Sequence, residues 1–359
     1  MSGPEGALCI EDPGRLDLEL GGGFPKLDIA YETWGELDGT RENAILVCPA
    51  FSAHSHANSS PADPSPGWWE GMIGPGKAFD TDRFFVICPS LLGGSFGTTG
   101  PKSIDPETGE AYRGNFPVIT VRDICNVHVR LLDRLGIGRL YAAGGGSLGG
   151  MEALELAIRH PTRVARAISA SGTSRTRPFT AAIRHLGRQA IMSDPAFKGG
   201  FYDEIPARGL MLAREIGTLF YRSREEFDQR FRWQPINPPS LEGITFDVQS
   251  YLDHQARKVL GYFDANSYLR LSLAMDLHDV WRGFPSREEA LDPVTARFLI
   301  IGVEQDRLIP IDEQEWVHYT LAAASKSSIW RPLSSRIGHD AFLVEIDKMT
   351  VLIKEFLAS

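Results

Sequence analysis

The sequence has few of the features that mark secreted, membrane-spanning or nucleic-acid-binding proteins. Its four cysteines are scattered, with no Cys-x-x-Cys pair, so neither a disulfide framework nor a zinc finger is indicated. No apolar run approaches the roughly 18 residues that span a bilayer. The N-terminus carries acids and prolines where a secretory signal would have a basic end and an apolar run. We therefore expect a cytoplasmic protein.

Basic residues are also too dispersed to form a surface for polyanions. The net charge is −9, and no run of lysine or arginine occurs. This excludes the electrostatic signature of proteins that bind nucleic acid or anionic membranes. We expect small-molecule partners instead.

Short apolar, β-rich runs alternate with helical patterns along most of the chain. The middle runs are almost continuously hydrophobic, which is typical of parallel strands covered on both faces, whereas the first two alternate and predict an antiparallel edge. Helical periodicity is found at 123–135, 148–159, 312–324 and 341–357. The pattern predicts an α/β protein with a mostly parallel eight-stranded sheet flanked by helices. The eight runs are RLDLEL (15–20), KLDIAYET (26–33), AILVCPA (44–50), RFFVICPS (83–90), RLYAAGG (139–145), RVARAISAS (163–171), RFLIIGV (297–303) and SSIWRPL (327–333).

The alternation stops between about residues 175 and 290. This stretch contains five helical patterns joined by loops and no convincing strand. The patterns are PFTAAIRHLGRQAIM (178–192), ARGLMLAREIGTLFY (207–221), REEFDQRF (224–231), SYLDHQARKVLGYF (250–263) and YLRLSLAMDLHDVW (268–281). We predict a core formed by residues 1–174 and 291–359, with a helical cap at 175–290. The cap is expected over the carboxyl edge of the sheet, where open α/β sheets place their sites.

The glycine-rich segment GGGSLGG fits two motifs. Gly144, Gly146 and Gly149 have dinucleotide-binding spacing, whereas Gly145, Ser147 and Gly149 have the G-x-S-x-G spacing of a nucleophile elbow. A dinucleotide site requires an acid at the end of the next strand, but RVARAISASG ends in small residues. The elbow requires a strand, a sharp turn and a helix, as LYAAGG and LGGMEALELAIRH indicate. From this segment alone, a glycine-rich turn with an incidental serine stays open.

Two later loops supply the partners of a catalytic serine. Asp306 follows RFLIIGV and His339 follows SSIWRPL, in the order nucleophile, acid, histidine that this fold requires. Either residue alone could cap a loop or fill the core. Together they predict a triad in which His339 takes and returns the Ser147 proton, while Asp306 orients the imidazole. For the oxyanion hole we predict the backbone N–H groups of Leu148 and Phe51.

His54 and His56 in the loop after AILVC raise the question of a metal site. No nearby cluster of carboxylates or cysteines completes a ligand set. We predict no metal.

Segments spread over nearly the whole chain resemble the homoserine O-acetyltransferase family, including its serine-acylating members. The family has the α/β-hydrolase fold. The resemblance implies that an acyl-CoA acylates Ser147, and that the acyl group then passes to the side-chain hydroxyl of an amino acid in a ping-pong reaction. It also implies acyl-CoA as co-substrate with no permanently bound cofactor, a role in methionine or cysteine biosynthesis, and a homodimer formed through cap helices. The segments include GWWEGMIGPGKAFDTDRFFVICPSLLGG, GTTGPKSIDPETGEAY, GGSLGGMEALELA, FDANSYL and GHDAFL.

The resemblance also implies substrate-binding residues. The family's cap arginine and the tyrosine seven residues later match Arg214 and Tyr221, and the acid after the catalytic histidine matches Asp340. The planar fork of Arg214 suits a carboxylate, and Asp340 suits an α-ammonium group. Without the resemblance, Arg214 would be an exposed helix charge and Asp340 an N-cap of the last helix.

Several segments depart from the commonest family pattern near the expected acyl and acceptor pockets, among them CPAFSAHSHA, CPSLLGGSFG and YLDHQARK. We expect acetyl-CoA as donor and L-homoserine or L-serine as acceptor, with succinyl-CoA as the alternative donor. An esterase or thioesterase that uses water as acceptor is a further alternative, and so is a catalytically silent binding protein.

Overall fold

An eight-stranded sheet runs through the computed structural model, which describes residues 4–359. Its order is β1-β4-β6-β5-β7-β8-β9-β10 for the strands bounded below, and the pairs β1-β4 and β4-β6 are antiparallel while the others are parallel. The mostly parallel α/β-hydrolase sheet is thereby confirmed. The strands are β1 (Leu8–Asp12), β2 (Leu16–Asp17), β3 (Gly23–Phe24), β4 (Leu27–Trp34), β5 (Ala44–Cys48), β6 (Phe85–Pro89), β7 (Ala142–Gly146), β8 (Arg166–Ala170), β9 (Arg297–Val303) and β10 (Ser328–Leu333).

The edge strand differs from the prediction. β1 occupies the edge and pairs with β4, whereas RLDLEL contributes only β2, which pairs with β3 in a separate two-stranded sheet. Leu16 and Leu18 are buried in the core, and the Leu18 amide donates to the Gly22 carbonyl across a tight turn. The alternation in this run therefore arises from two leucines that pack inward from a turn.

Helices cover both faces of the sheet. Alternate residues of β5 belong to different apolar clusters, with Leu46 on one face and Ile45 and Val47 on the other, as a central strand requires. The helix expected at 341–357 is divided at Glu345, whose φ/ψ of −85°/49° interrupts it. The helices outside the segment between β8 and β9 are α1 (Val121–Arg134), α2 (Leu148–Arg159), α9 (Ile311–Ala323), α10 (Ala341–Val344) and α11 (Ile346–Ala358).

Six helices lie between β8 and β9, and we call them the cap helices. All five helical patterns expected there form helices, α8 is additional, and α4 packs against both α3 and α6. The cap boundaries at 175 and 290 stay a prediction. Helix α8 spans the second of these boundaries. The cap helices are α3 (Pro178–Met192), α4 (Ala207–Tyr221), α5 (Arg224–Arg230), α6 (Asp247–Val259), α7 (Ala265–Asp276) and α8 (Arg287–Leu291).

The end of α4 is tied to the loop before α10. The Ser223 amide donates to the Ile337 carbonyl at 2.9 Å, and the Asp340 amide donates to the Tyr221 carbonyl at 3.2 Å. Gly338 lies between these bonds with φ +92°, and a Cβ there would lie 2.8 Å from the Ser223 nitrogen. Backbone hydrogen bonds therefore hold the end of cap helix α4 against the loop that carries His339.

Among residues 4–359, no helix has both the length and the apolar character to cross a membrane.

Candidate active site

Ser147 occupies a strained turn between β7 and α2. Its φ/ψ of 57°/−117° is unusual for a residue with a side chain and costs on the order of 1–3 kcal/mol. The flanking glycines allow the turn to approach β5, because a Cβ on Gly145 or Gly149 would lie 2.4 or 2.1 Å from the Cys48 carbonyl oxygen. The glycine spacing therefore serves an elbow that exposes a serine at a helix N-terminus.

The structure brings Ser147, Asp306 and His339 together at the carboxyl ends of three strands. The His339 Nε2 atom lies 2.8 Å from Ser147 Oγ, and its Nδ1 atom lies 2.7 Å from Asp306 Oδ2. All three residues are more than nine-tenths buried. Since an ionised Asp306 can only accept, Nδ1 carries the proton and Nε2 is free to accept from the serine hydroxyl. This is the arrangement that activates a serine for acyl transfer.

Asp306 is oriented by more partners than the sequence indicates. Its Oδ1 atom accepts from the amides of Leu308 and Ile309, both at 2.9 Å, and Oδ2 also accepts from Gln314 Nε2 at 3.2 Å. Gln314 is fully buried, and its Oε1 atom accepts from the Val303 amide at the end of β9. Sequence reasoning missed Gln314 because one glutamine in a helix carries no distinguishing signal.

Of the two residues predicted for the oxyanion hole, Leu148 follows Ser147 in the chain and Phe51 approaches from the loop after β5. Leu148 is the first residue of α2, where its amide lies at the positive end of the helix dipole. Phe51 follows β5 by three residues and lines the same cavity as Ser147. Within residues 4–359 its amide has no hydrogen-bond acceptor. Both amides therefore suit a developing oxyanion.

A cavity opens above the serine, between the core and the cap helices. Its wall contains all three residues that the family resemblance implies for substrate binding, and it adds Arg184 from α3. The wall includes Phe51, Ser147, Arg184, Arg214, Tyr221 and Asp340.

Arg214 enters this cavity without a carboxylate partner. No carboxylate of residues 4–359 lies within 4.0 Å of its guanidinium, and its buried Nε atom has no acceptor. Burial opposes the charge, but the surrounding tyrosine hydroxyls and the Asp340 carboxylate outweigh it and raise the pKa of Arg214. A permanently charged, unpaired fork in a cavity suits a carboxylate ligand.

Tyr221 and Asp340 lie beside His339. The Tyr221 ring stacks on the imidazole, with centroids 6.0 Å apart. Asp340 precedes α10, but its side chain makes no capping bond and instead pairs with Arg222 Nε at 3.2 Å. Burial raises the pKa of Asp340, and Arg222 opposes that effect. Asp340 therefore occupies the N-cap position of α10 without a capping bond from its side chain, and it presents a partly compensated negative charge to the cavity.

Arg184 is the second cationic group of the cavity, and sequence reasoning missed it. Asp276 binds both Arg184 Nη1 at 2.9 Å and Arg188 Nη1 at 2.6 Å, so one carboxylate serves two guanidinium groups. The Arg184 side chain is 7% exposed, and its buried Nη2 atom has no acceptor among the described residues. In the sequence it is one more arginine in a helical pattern, and its pairing with a residue of α7 is not apparent.

Comparison with known proteins agrees with this geometry. The sequence profile described as alpha/beta hydrolase fold matches residues 43–318. A serine O-succinyltransferase of Litchfieldella anticariensis is 44% identical over 363 residues, which covers 99% of each chain. A crystal structure of homoserine O-acetyltransferase from Bacillus anthracis is 33% identical with a TM-score of 0.91, covering 98% of this chain and 97% of that one. The chain belongs to the homoserine O-acetyltransferase family.

The same scaffold also carries a protein with another name. Esterase E22 is 30% identical with a TM-score of 0.91, covering 98% of this chain and 99% of that one. Membership of the homoserine O-acetyltransferase family therefore fixes the fold, whereas the choice of acyl donor and acyl acceptor depends on the residues of the cavity.

His54 and His56 are joined to their neighbours by hydrogen bonds. Both ring nitrogens of His56 are engaged, Nδ1 with Glu32 Oε2 at 2.9 Å and Nε2 with the Ser65 carbonyl at 2.8 Å. The His54 Nδ1 atom accepts from the His56 amide at 3.2 Å. Residues 4–359 contain no group of three or more metal-ligating side chains.

Proposed function

We propose that the protein is an acyl-CoA-dependent O-acyltransferase that acylates the side-chain hydroxyl of L-serine or L-homoserine through an acyl-Ser147 intermediate. The observation that carries the proposal is the unpaired Arg214 fork in the cavity of the Ser147–His339–Asp306 unit. An amino-acid carboxylate has the charge and planarity that this fork binds.

In the first half-reaction, His339 Nε2 takes the Ser147 proton while Oγ attacks the thioester carbonyl. The resulting oxyanion is held by the amides of Phe51 and Leu148. The carbon–sulfur bond then breaks, His339 returns the proton to the sulfur, and CoA leaves as a thiol. Ser147 now carries an oxygen ester.

In the second half-reaction, the acceptor hydroxyl gives its proton to His339 and attacks this ester. The bond to Ser147 Oγ breaks, and His339 returns the proton to the serine. Arg214 binds the acceptor carboxylate and Asp340 its ammonium group. The cap helices enclose the cavity, which favours the bound hydroxyl over water. The product is an O-acyl amino acid suited to cysteine or methionine biosynthesis.

For the donor we propose succinyl-CoA rather than the acetyl-CoA expected from the sequence. An acetyl group offers no partner to the buried Nη2 atom of Arg184, and an orphaned buried donor costs about 1–3 kcal/mol. A succinyl group carries a terminal carboxylate that satisfies this donor. The similarity to a serine O-succinyltransferase supports the same choice.

The proposal is tested by incubating the enzyme with succinyl-CoA or acetyl-CoA, with and without L-serine or L-homoserine, and following the release of CoA thiol. We expect acceptor-dependent release that is fastest with succinyl-CoA. Release that is indifferent to added amino acid would replace the transferase with a thioesterase. The similarity to esterase E22 keeps a hydrolase, with water as acceptor, as the alternative class.

Arg184→Met keeps the bulk of the side chain and removes the fork. We expect the kcat/KM for succinyl-CoA to fall on the order of 100-fold, because a charge-assisted bond is lost. Acetyl-CoA should be affected within a fewfold. Arg208→Ala, an exposed arginine of α4, serves as the control. Equal losses for both donors would mean that Arg184 serves the packing of the cap and not the acyl group.

A further inference from the structure

A second cavity adjoins the active-site cavity at the loop after β5. Ala50, Ser52 and Leu343 line both cavities. The rest of the second cavity's wall is formed by Ala53, His54, Trp68 and Tyr262. We call it the His54 cavity. The loop after β5 therefore borders both spaces.

The wall of the His54 cavity is aromatic and firmly held. Trp68 Nε1 donates to the His54 carbonyl at 2.8 Å, which closes the loop on itself. The Tyr262 ring stacks on Phe96 at 6.2 Å between centroids, and Phe96 lies 4.6 Å from the His54 ring. Such a surface suits an apolar chain and needs little rearrangement to receive it.

The hydrogen-bond network fixes the protonation of His54. Since His56 bonds Glu32 and the Ser65 carbonyl through its two ring nitrogens, both nitrogens donate and the ring is an imidazolium. Burial and this neighbouring charge lower the pKa of His54 to about 4. His54 is thus neutral near pH 7, and because Nδ1 accepts from the His56 amide, the proton is on Nε2.

The Nε2–H group of His54 donates to no atom of the protein. Within residues 4–359 no acceptor lies in hydrogen-bond range of Nε2. A neutral N–H in a wall without charged side chains matches an uncharged acceptor such as an amide carbonyl. It gives no advantage to a phosphate or carboxylate over a neutral group.

We propose that the His54 cavity holds the pantetheine arm of the acyl-CoA, with His54 Nε2 donating to one of its amide carbonyls. The inference rests on the proposed acyl-CoA dependence. A thioester positioned over Ser147 must direct its sulfur and the attached arm out of the active-site cavity, and the His54 cavity is its neighbour across the shared wall at Ala50 and Ser52. The arm is a chain of methylene groups and secondary amides, which is the chemistry of this wall.

Two substitutions separate the two nitrogens of His54. His54→Asn keeps an acceptor near Nδ1 for the His56 amide and loses the donor at Nε2, whereas His54→Gln places a donor near Nε2. The acyl substrates to be compared are an acyl-CoA and the S-ethyl thioester of the same acid. The S-ethyl thioester has the same reacting bond and no pantetheine arm. For His54→Asn we expect the KM for acyl-CoA in Ser147 acylation to rise about tenfold, with recovery in His54→Gln. The S-ethyl thioester should react unchanged in both.

Filling the cavity provides an independent measurement. Ala53 lines the His54 cavity and not the active-site cavity, so Ala53→Phe should obstruct the arm and spare the S-ethyl thioester. Ala323→Phe makes the same change at an exposed position of α9 and serves as the control. We expect a loss on the order of tenfold or more with acyl-CoA alone.

The outcomes separate this inference from the proposed function. If the wild-type enzyme is acylated by the S-ethyl thioester but not by any acyl-CoA, the proposed function fails and the inference falls with it. If acyl-CoA acylates the wild type but His54→Asn and Ala53→Phe both leave the KM for acyl-CoA unchanged, the arm lies elsewhere. Equal losses with the two thioesters would show that the loop supports the oxyanion hole and does not bind the arm.

Discussion

At the residue scale, the site is a chain of hydrogen bonds that starts at Ser147 and continues beyond the three triad positions. His339 has both ring nitrogens engaged, and Asp306 is held by amide groups and Gln314. Each member restricts the geometry of the next one, so the serine is oriented by groups that never contact a substrate. The two cationic groups of the cavity, the unpaired Arg214 and the partly paired Arg184, then distinguish what is bound around it.

Arg214 provides a prediction that separates the two half-reactions. In Arg214→Ala we expect Ser147 acylation by acyl-CoA to change less than threefold, while transfer to the amino acid slows on the order of 100-fold because a charged hydrogen-bond pair is lost. Rapid-mixing measurement of CoA release and of product formation checks this. The exposed Arg208→Ala on the same helix is the control. Equal loss in both half-reactions would assign Arg214 to folding or to the donor.

At the element scale, α3 and α4 expose apolar residues in rows. Leu212 and Leu219 on α4 are 48% and 45% exposed, and Phe179 and Leu186 on α3 are 56% and 55% exposed. Each pair is seven residues apart, so its members lie on one face of their helix. We propose that these faces pair across a homodimer, the assembly that the family resemblance implies.

The double substitution Leu212→Glu with Leu219→Glu tests this assembly. Two carboxylates in an apolar interface would be desolvated without partners, so we expect the protein to become monomeric. Light scattering coupled to size-exclusion chromatography measures the mass. Val351→Glu, at an equally exposed position of α11, should leave the mass unchanged. A mass that stays the same in the double variant would mean that α4 does not form the interface.

Elements also show which parts of the fold were predictable. The α3 and α4 helices match their predicted spans because periodicity within one helix is a local property. The prediction of a sheet-edge strand at RLDLEL is wrong because alternation also arises when Leu16 and Leu18 pack inward from a turn. The edge strand instead depends on which distant segment pairs with β4, and a local pattern does not specify that.

At the scale of the whole molecule, one buried carboxyl group makes the folding stability depend on pH. Glu313 on α9 is 4% exposed, and its Oε2 atom has no hydrogen-bond partner among residues 4–359. Burial raises its pKa to about 7. The unfolded chain releases this proton near pH 4.5, the ordinary value, whereas the folded protein retains it until about pH 7. Folding stability is therefore lost as the pH rises between these values.

Glu313→Gln removes this titration. We expect the variant to be more stable than the wild type at pH 8, by on the order of 3 kcal/mol, and to lose less stability between pH 5 and pH 8. Urea unfolding at the two pH values measures the difference. Glu355→Gln, at an exposed position of α11, should behave like the wild type. An identical pH dependence in Glu313→Gln and the wild type would contradict the assignment.

The sequence by itself determined the fold class, the elbow around Ser147 and the order of Ser147, Asp306 and His339. These follow from the period of hydrophobic residues and from short spacings, and both are local. The resemblance added Arg214 and Asp340, and only the structure decided that the Asp340 side chain pairs with Arg222 and makes no capping bond.

The tertiary structure alone decided which side chains complete the cavity and which stay unpaired. Gln314 reaches Asp306, Arg184 shares Asp276 with Arg188, and His54 keeps a free Nε2 proton. Each of these facts depends on contacts outside any local sequence pattern, and several join residues far apart in the chain. A donor without a partner becomes evident only when all of its neighbours are in place, since the burial that makes it costly is a property of the packed molecule.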